Sequence, residues 1–405
     1  MAEVIRLHQQ AAPVASATGD GLGLAVPPPL ALYVHLPWCL QKCPYCDFNS
    51  HQQPAAGIPE RRYLDALIED LEQSLPSVWG RSVQTVFMGG GTPSLFSAES
   101  IDILLAAIRA RVRLNADAEI TMEANPGSFE QARFEGFARA GVNRLSLGVQ
   151  SFNDGYLRRL GRVHDSAAAR AAAAMAAETF ASFNLDLMFA LPGQTIAELE
   201  QDLATALAFG APHLSCYQLT LEPGTAFAVH PPEDLPDSDL AADFSDRVCE
   251  LTAAAGLVRY EVSAFAKPGH RSRHNLNYWE FGDYLGIGAG AHSKLSFHDR
   301  IVRETRIRHP EQYLKAVAAG RSVHQSRVLG RDELPFEFML NALRLVDGVA
   351  VGLFDERTGL NPAVVSDAVN NAFRDGLLSD NPARFQASDR GLAFLNDLQM
   401  RFLAG

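Results

Sequence analysis

The chain has 405 residues, of which 47% are apolar and 20% charged, enough to fill two or three globular domains with sizeable cores. Its 35 Lys and Arg against 47 Asp and Glu give a net charge of −12, which excludes a nucleic-acid-binding surface spread over the chain, because neutralising phosphates needs clustered cations. The sequence has no integral membrane segment, since no stretch reaches the ~18 consecutive apolar residues of a span. It also has no secretory signal at its start, and too few cysteines for a disulfide scaffold.

In chain order, residues 1–28 lead into the Gly- and Pro-rich run Gly21–Pro29 and are expected to form a flexible N-terminal arm. A rhythm follows. Short apolar runs at Ala31–His35, Thr85–Met88, Glu119–Met122, Arg144–Val149, Phe183–Phe189 and Leu214–Leu221 read as buried strands. Between them Glu60–Leu75, Ala98–Arg111, Ser128–Ala140, Asp165–Thr179 and Thr195–Phe209 carry apolar residues at helical spacing. Strands alternating with helices form parallel βα units. The expected fold class is α/β: a partial (β/α)6 barrel, with a doubly wound sheet as the alternative that periodicity does not separate from it.

After Glu222-Pro223-Gly224 the rhythm breaks. A helix near Ser238–Ala255, a strand at Tyr260–Phe265 and a loop-rich region to about residue 300 are expected to complete a barrel domain over 29–300. The basic stretch Arg300–Arg308 reads as an exposed strand or loop with solvated charges. Residues 301–405 are expected to form a smaller, mainly helical, winged-helix-like C-terminal domain. Its helices are placed near Leu334–Leu345, Asn361–Asp375 and Ser388–Phe402, with a short strand at Arg384–Ala387.

The chemistry concentrates after the first strand, where residues 33–50 read YVHLPWCLQKCPYCDFNS. Cys39, Cys43 and Cys46 are spaced C-x3-C-x2-C, and thiolates are soft ligands that suit iron–sulfur clusters and zinc. Structural zinc takes four ligands, often as two C-x2-C pairs. Here no fourth cysteine follows, and His35 and His51 lack the usual spacing for completing a zinc site. Three thiolates on a [4Fe–4S] cluster leave one iron open to a small molecule. The other two cysteines, Cys216 and Cys249, read as small buried hydrophobes.

Polar residues then recur in or at the ends of successive strands. Gly89-Gly-Gly-Thr-Pro93 follows the second strand, where backbone without Cβ atoms lets a ligand come close, or where a plain turn would do. Glu123 ends the third strand, Gln150 the fourth, and Asp186 sits in the fifth; buried polar groups in such places need partners.

The cysteine spacing after a first barrel strand resembles the radical S-adenosylmethionine (SAM) superfamily. In order, YVHLPWC–C–YCDFNS, GGGTPS, MEANPGS, RLSLGVQSF, LGRVH and DLMFALPGQ are similar to its coproporphyrinogen III oxidase-like branch, and the likeness runs over nearly the whole chain from about residue 30. The resemblance implies a [4Fe–4S] cluster on the three cysteines. It also implies SAM contacts from Tyr33, Gly90, Gly91, Thr92, Glu123, Gln150, Arg162 and Asp186. Arg162 would pair with the SAM carboxylate as a fork, and Glu123 would meet its ammonium or ribose.

The branch holds two kinds of protein. Oxygen-independent coproporphyrinogen III oxidases resemble this chain but carry a further cysteine two positions after the third, where this sequence has Phe48; they also carry a longer N-terminal region. HemW-type haem chaperones carry H-N-x-x-Y-W, present here as His274–Trp279. That resemblance implies haem binding by His274, Tyr278 and Trp279, with His292 and His298 as further ligand candidates. It also implies haem-accepting proteins as partners and an electron donor if the cluster is reduced. The expected location is cytoplasmic, from the lack of a span or signal and the crowding of three cysteines that suits a reducing compartment, with peripheral membrane contact left open. The oxidase, or another radical SAM enzyme acting on porphyrin, is the alternative. No residue is singled out as catalytic. Gly286–His292 lacks dinucleotide-loop spacing and reads as a close backbone approach at the barrel mouth.

Overall fold

The computed structural model describes residues 21–127 and 133–403. Six strands with buried, β-rich sequences, β1 Leu30–Leu36, β2 Ser82–Gly90, β3 Arg113–Ala124, β4 Arg144–Gln150, β5 Ser182–Phe189 and β6 His213–Gln218, pair in parallel with their sequence neighbours. A sheet that adds each new strand beside the last, in one direction, is wound one way only; a doubly wound sheet reverses its order partway. The sequential order therefore selects the partial barrel.

The helices between these strands fit the periodicity closely: α1 Glu60–Val78, α2 Ala98–Arg111, α3 Phe134–Ala140, α4 Ser166–Thr179 and α5 Ile196–Ala208. The starts of α2, α4 and α5 are set by side-chain caps. Ser97 and Asp165 accept backbone N–H groups three residues on, and Thr195 with Glu198 makes a capping box. The first residues expected in α3, 128–132, lie outside those described.

The later region departs from expectation. After α6 (Ser238–Ala254), the single strand expected at Tyr260–Phe265 is a hairpin, β7 Val258–Glu261 and β8 Ala264–Ala266, because Val262 and Ser263 turn the chain back. Beyond a short helix α7 (Arg273–Trp279), the region expected to be loops supplies three strands: β9 Asp283–Ile287, β10 His292–Ser296 and, past residue 300, β11 Ile301–Arg306. With β12 Val323–Val328 they extend the sheet to the order β12-β11-β10-β9-β1-β2-β3-β4-β5-β6-β8-β7. β9 runs parallel to β1, and β10 to β12 follow antiparallel. β10 to β12 escape an apolar-run search because they are short and polar, and β9 because it has only five residues.

The stretch Arg300–Arg308 is likewise not a row of solvated charges. Arg306 is fully buried, pairing through Nε with Asp70 at 3.0 Å, while Ser74 and Tyr313 complete the network. Arg303 is held by Tyr284 and Glu337.

The second hydrophobic cluster is built by helices Leu334–Ala342, Val351–Thr358, Ser366–Arg374, Asp389–Ala393 and Leu395–Met400, with an antiparallel pairing of Val349–Ala350 and Arg384–Phe385. Its last two helices meet at Phe394 rather than running on as one. The cluster takes in Leu22 and Leu24 of the expected arm, whose N–H groups donate to the carbonyls of Asp299 and His298. The arm is thus docked from Gly21 onward, and residues 1–20 lie outside those described. Cys216 is buried and Cys249 half-buried, both packed in the main core.

Candidate functional site

The C-terminal ends of β1 to β6 point to one side of the sheet, and the loops there enclose a cavity of about 390 Å³. Cys39, Cys43 and Cys46 line it on the loop that leaves β1. That loop is closed on itself by a short parallel ladder, Trp38 with His51 and Cys39 with Gln52. Trp38 packs edge-on against Tyr63 of α1 at 4.8 Å.

The glycines at the end of β2 make this possible, but not by leaving room for a ligand alone. A Cβ on Gly91 would sit 2.6 Å from the Trp38 carbonyl oxygen, and one on Gly90 would enter the His35 ring at 2.3 Å. The glycines let the cysteine loop lie down on β2, and Gly90 takes a left-handed φ of 110° to do so.

Each thiol has a polar neighbour. Thr92 Oγ1 donates to Cys39 Sγ at 3.5 Å, Arg162 Nη1 to Cys43 Sγ at 3.6 Å, and Ser50 Oγ lies 3.8 Å from Cys46 Sγ. Burial pushes the Cys39 and Cys46 thiols up in pKa. Among the described residues no three Cys, His, Asp or Glu side chains converge as they would on one metal ion. A cubane makes no such demand, because each thiolate binds a different iron. His35, considered for zinc, has both nitrogens engaged, with Tyr33 Oη at 3.1 Å and the Asn49 carbonyl at 2.9 Å.

Of the eight residues expected around SAM, Gly90, Gly91, Thr92, Glu123, Gln150, Arg162 and Asp186 line this cavity. Tyr33 does not; it faces the neighbouring one. Gln150 holds a left-handed φ of 68° at the end of β4, a strained backbone for a residue with a side chain. Burial first, then the charge of Asp186, pushes the Glu123 carboxyl up to about 8, with the Gly90 N–H pulling the other way. Burial also raises Asp186, against hydrogen bonds from Asn184 and Ser146.

Among the described residues, Arg162 Nε and Thr121 Oγ1 in the cavity wall are buried without hydrogen-bond partners. Such atoms cost free energy unless a ligand satisfies them. Three thiols with hydroxyl and guanidinium donors, and an orphaned guanidinium N–H in the wall of a cavity that also holds two carboxyls, fit a cluster and an amino-acid ligand. Asn125, Ser146, Asn184, His213 and Tyr217 also line the cavity. Their strands were legible, but single polar residues in them gave no signal.

A second cavity, of about 740 Å³, adjoins the first at Asp47, Phe48, Gly90 and Glu123. Its far wall comes from β9 to β12. Of the three residues expected to meet haem, Tyr278 lines it, while His274 and Trp279 line neither cavity. His274 is buried, its Nδ1 2.8 Å from Thr85 Oγ1 and its Nε2 3.1 Å from Tyr278 Oη, with Phe87 against its ring. Burial lowers its pKa to about 3. An iron at either nitrogen would displace Thr85 or Tyr278. Trp279 packs toward the second cluster under the Arg344 guanidinium at 4.3 Å. His292 lines the second cavity, and His298 does not.

A half-open parallel barrel with three thiols over the end of its first strand defines a radical SAM protein. The Radical SAM superfamily model matches residues 33–206, and the HemN C-terminal domain model matches residues 329–394. The fold is similar to that of coproporphyrinogen III oxidase (HemN) from Escherichia coli, described as a radical SAM enzyme, with a TM-score of 0.79 at 25% identity, covering 94% of this chain and 91% of that one. In sequence it is 47% identical to the haem chaperone HemW of Escherichia coli (strain K12), over 93% of this chain and 99% of that protein. It is 45% identical to the HemW of Haemophilus influenzae over 93% and 98%. The chain belongs to the HemW family.

Proposed function

We propose that this protein binds haem and passes it to acceptor proteins, and that it holds a [4Fe–4S] cluster on Cys39, Cys43 and Cys46 with SAM beside it. The identity of 47% along nearly the whole chain to a protein named as a haem chaperone carries this reading. Phe48 supports it locally. Where the resemblance to the oxidases asks for a further cysteine, this chain puts an apolar ring, 59% exposed, at the junction of the two cavities.

When bound, SAM and the cluster would supply one-electron chemistry; the chain's own groups bind and orient. Gly90, Gly91, Thr92, Gln150, Arg162 and Asp186 surround the ligand, Glu123 faces its cationic end, and Tyr33 backs the shared wall through His35. Tyr278 contacts the haem; His274 holds Tyr278 from beneath, and Trp279 anchors the same helix to the C-terminal domain. The partners are haem-accepting proteins, together with an electron donor where the cluster is reduced. The protein works in the cytoplasm, and no helix among the described residues is long and apolar enough to cross a membrane.

The test is an anaerobic comparison on cluster-reconstituted protein. One arm supplies coproporphyrinogen III, SAM and reductant, and follows decarboxylated product; the other supplies haem and an apo-haemoprotein, and follows transfer. Transfer without decarboxylation is expected. Stoichiometric or greater decarboxylation overturns the reading in favour of the oxidase. Replacing Cys43 by Ser should abolish the cluster, and retained iron content would contradict the thiolate assignment.

A further inference from the structure

Within the haem-carrying reading, on which this inference rests, we infer that the second cavity is the haem seat and that His292 is its axial ligand. A haem asks three things of a protein: flat apolar or aromatic walls, one neutral imidazole nitrogen, and cations for two propionates. The cavity of about 740 Å³ falls within the ~300–1,000 Å³ of small-molecule sites. Tyr33, Phe48, Tyr278 and Tyr284 supply aromatic surface. Tyr278 and Tyr284 stand edge to face at 4.6 Å, so neither ring is loose.

The imidazole is His292, at the start of β10. Of the three imidazoles in this cavity, His35 has both nitrogens engaged, while His292 and His324 have no hydrogen-bond partner among the described residues; His324 stands on β12, exposed along its whole length, and His292 on the inner strand β10. The backbone around it is fixed. Gly286 takes the close approach of the His292 carbonyl, where a Cβ would lie at 2.1 Å, and His292 pairs in register with Thr305 of β11. Burial, with the charges of Arg303 and Arg308, favours its neutral form, the form that binds iron.

Arg308 supplies the cation. Its Nε bonds Asn49 Oδ1 at 3.4 Å, and its terminal nitrogens have no carboxylate partner among the described residues. Asn49 in turn fixes the cysteine loop to this wall through the carbonyls of Ala289 and Arg308. The H-N-x-x-Y-W segment then builds the floor of the seat: His274 holds Tyr278, and Tyr278 meets the porphyrin.

The experiment titrates haemin b into the full-length, cluster-reconstituted protein and into its His292→Ala and Arg308→Ala variants, reading the Soret band and the spin-state bands. The wild type should show an imidazole-ligated spectrum. His292→Ala should lose that signature and bind haemin at least tenfold more weakly, and added imidazole should restore the signature. Arg308→Ala should weaken haemin several-fold but leave the dimethyl ester of haemin, which has no free propionates, unaffected. If the wild type binds haemin and His292→Ala keeps its spectrum and affinity, the seat is overturned while the haem-carrying reading stands. If the wild type binds no haemin, the reading falls and the seat with it.

Discussion

Arg162 joins the cysteine loop to the barrel: its Nη1 lies 3.6 Å from Cys43 Sγ while its Nη2 bonds Asn125 Oδ1 at 2.6 Å and the Gly148 carbonyl at 2.8 Å. One planar fork therefore joins the cluster loop, the end of β3 and β4 at once, and its buried Nε still has no hydrogen-bond partner among the described residues. A lysine keeps the charge but not the fork. Arg162→Lys is expected to retain cluster absorbance and iron content while weakening SAM binding by about tenfold or more, because hydrogen bonds to a charged group contribute ~1.5–3 kcal/mol. Calorimetric titration of SAM into wild type and variant measures this. Equal affinities would remove Arg162 from the SAM site.

Glu123 gives the site a pH dependence. Its carboxyl is pushed up to about 8 in the free protein, so near neutrality it is largely protonated. A cationic ligand opposite it favours the carboxylate, lowers that pKa and releases a proton on binding. SAM affinity should therefore rise with pH up to about 8 and level off above. Glu123→Gln should bind SAM more weakly and lose most of that slope. Titrations in buffers of different ionisation enthalpy count the proton directly. A wild-type affinity flat between pH 6.5 and 8.5 would show that no positive group of the ligand meets Glu123.

Gly90 tests how the cysteine loop is seated. An alanine there needs a φ of 110° and puts a Cβ 2.3 Å from the His35 ring, whereas Gly80, also left-handed at 76°, has open space around it. Gly80→Ala should cost only about 1 kcal/mol, the backbone penalty of a left-handed alanine. Gly90→Ala should cost clearly more and also lower the iron bound per chain after reconstitution. Thermal melts and iron assays on the pair separate backbone strain from displacement of the loop. Equal losses in the two variants would mean that His35 moves aside freely.

How much of the fold and site is legible in the sequence depends on where each residue's signal lies. The βα rhythm is visible because buried parallel strands are continuous apolar runs such as Phe183–Phe189. Cys39, Cys43 and Cys46 were legible because three thiols in eight residues are rare for any other purpose. Strands β10 to β12 were not, because β12 reads VHQSRV and is exposed along its whole length. Burial of Arg306 could not be inferred from RIVRETRIR either. Its partner Asp70 lies 236 residues away on α1, and a sequence does not show which charge will find its counter-charge in the core. His274 was legible as part of a motif, but its environment was not: Thr85 and Phe87, which occupy its nitrogen and its face, come from β2.

Asp283 and Lys294 bear on stability rather than binding. Their side chains are buried and meet at 2.9 Å, with Arg81 on the other carboxylate oxygen at 2.8 Å. Burial alone would raise the Asp283 pKa, but Lys294, Arg81 and the Ser296 N–H outweigh it and hold the carboxyl below its ordinary value. At Lys294 burial wins instead, lowering its pKa against the pull of Asp283. The pair is thus held chiefly through the carboxylate, which has two cations. Because the folded carboxyl titrates below the unfolded one, its contribution is fully present above the unfolded value of ~3.9 and is lost as pH falls through the folded value. Asp283→Asn leaves Lys294 buried without a counter-charge, so it should lose about 3–5 kcal/mol near neutral pH. Its stability should also fall less steeply than the wild type's as the pH drops below about 4. Denaturant melts of both proteins from pH 7 to pH 3 measure the difference. A constant gap over that range would mean that the Asp283 carboxyl is not the group that titrates.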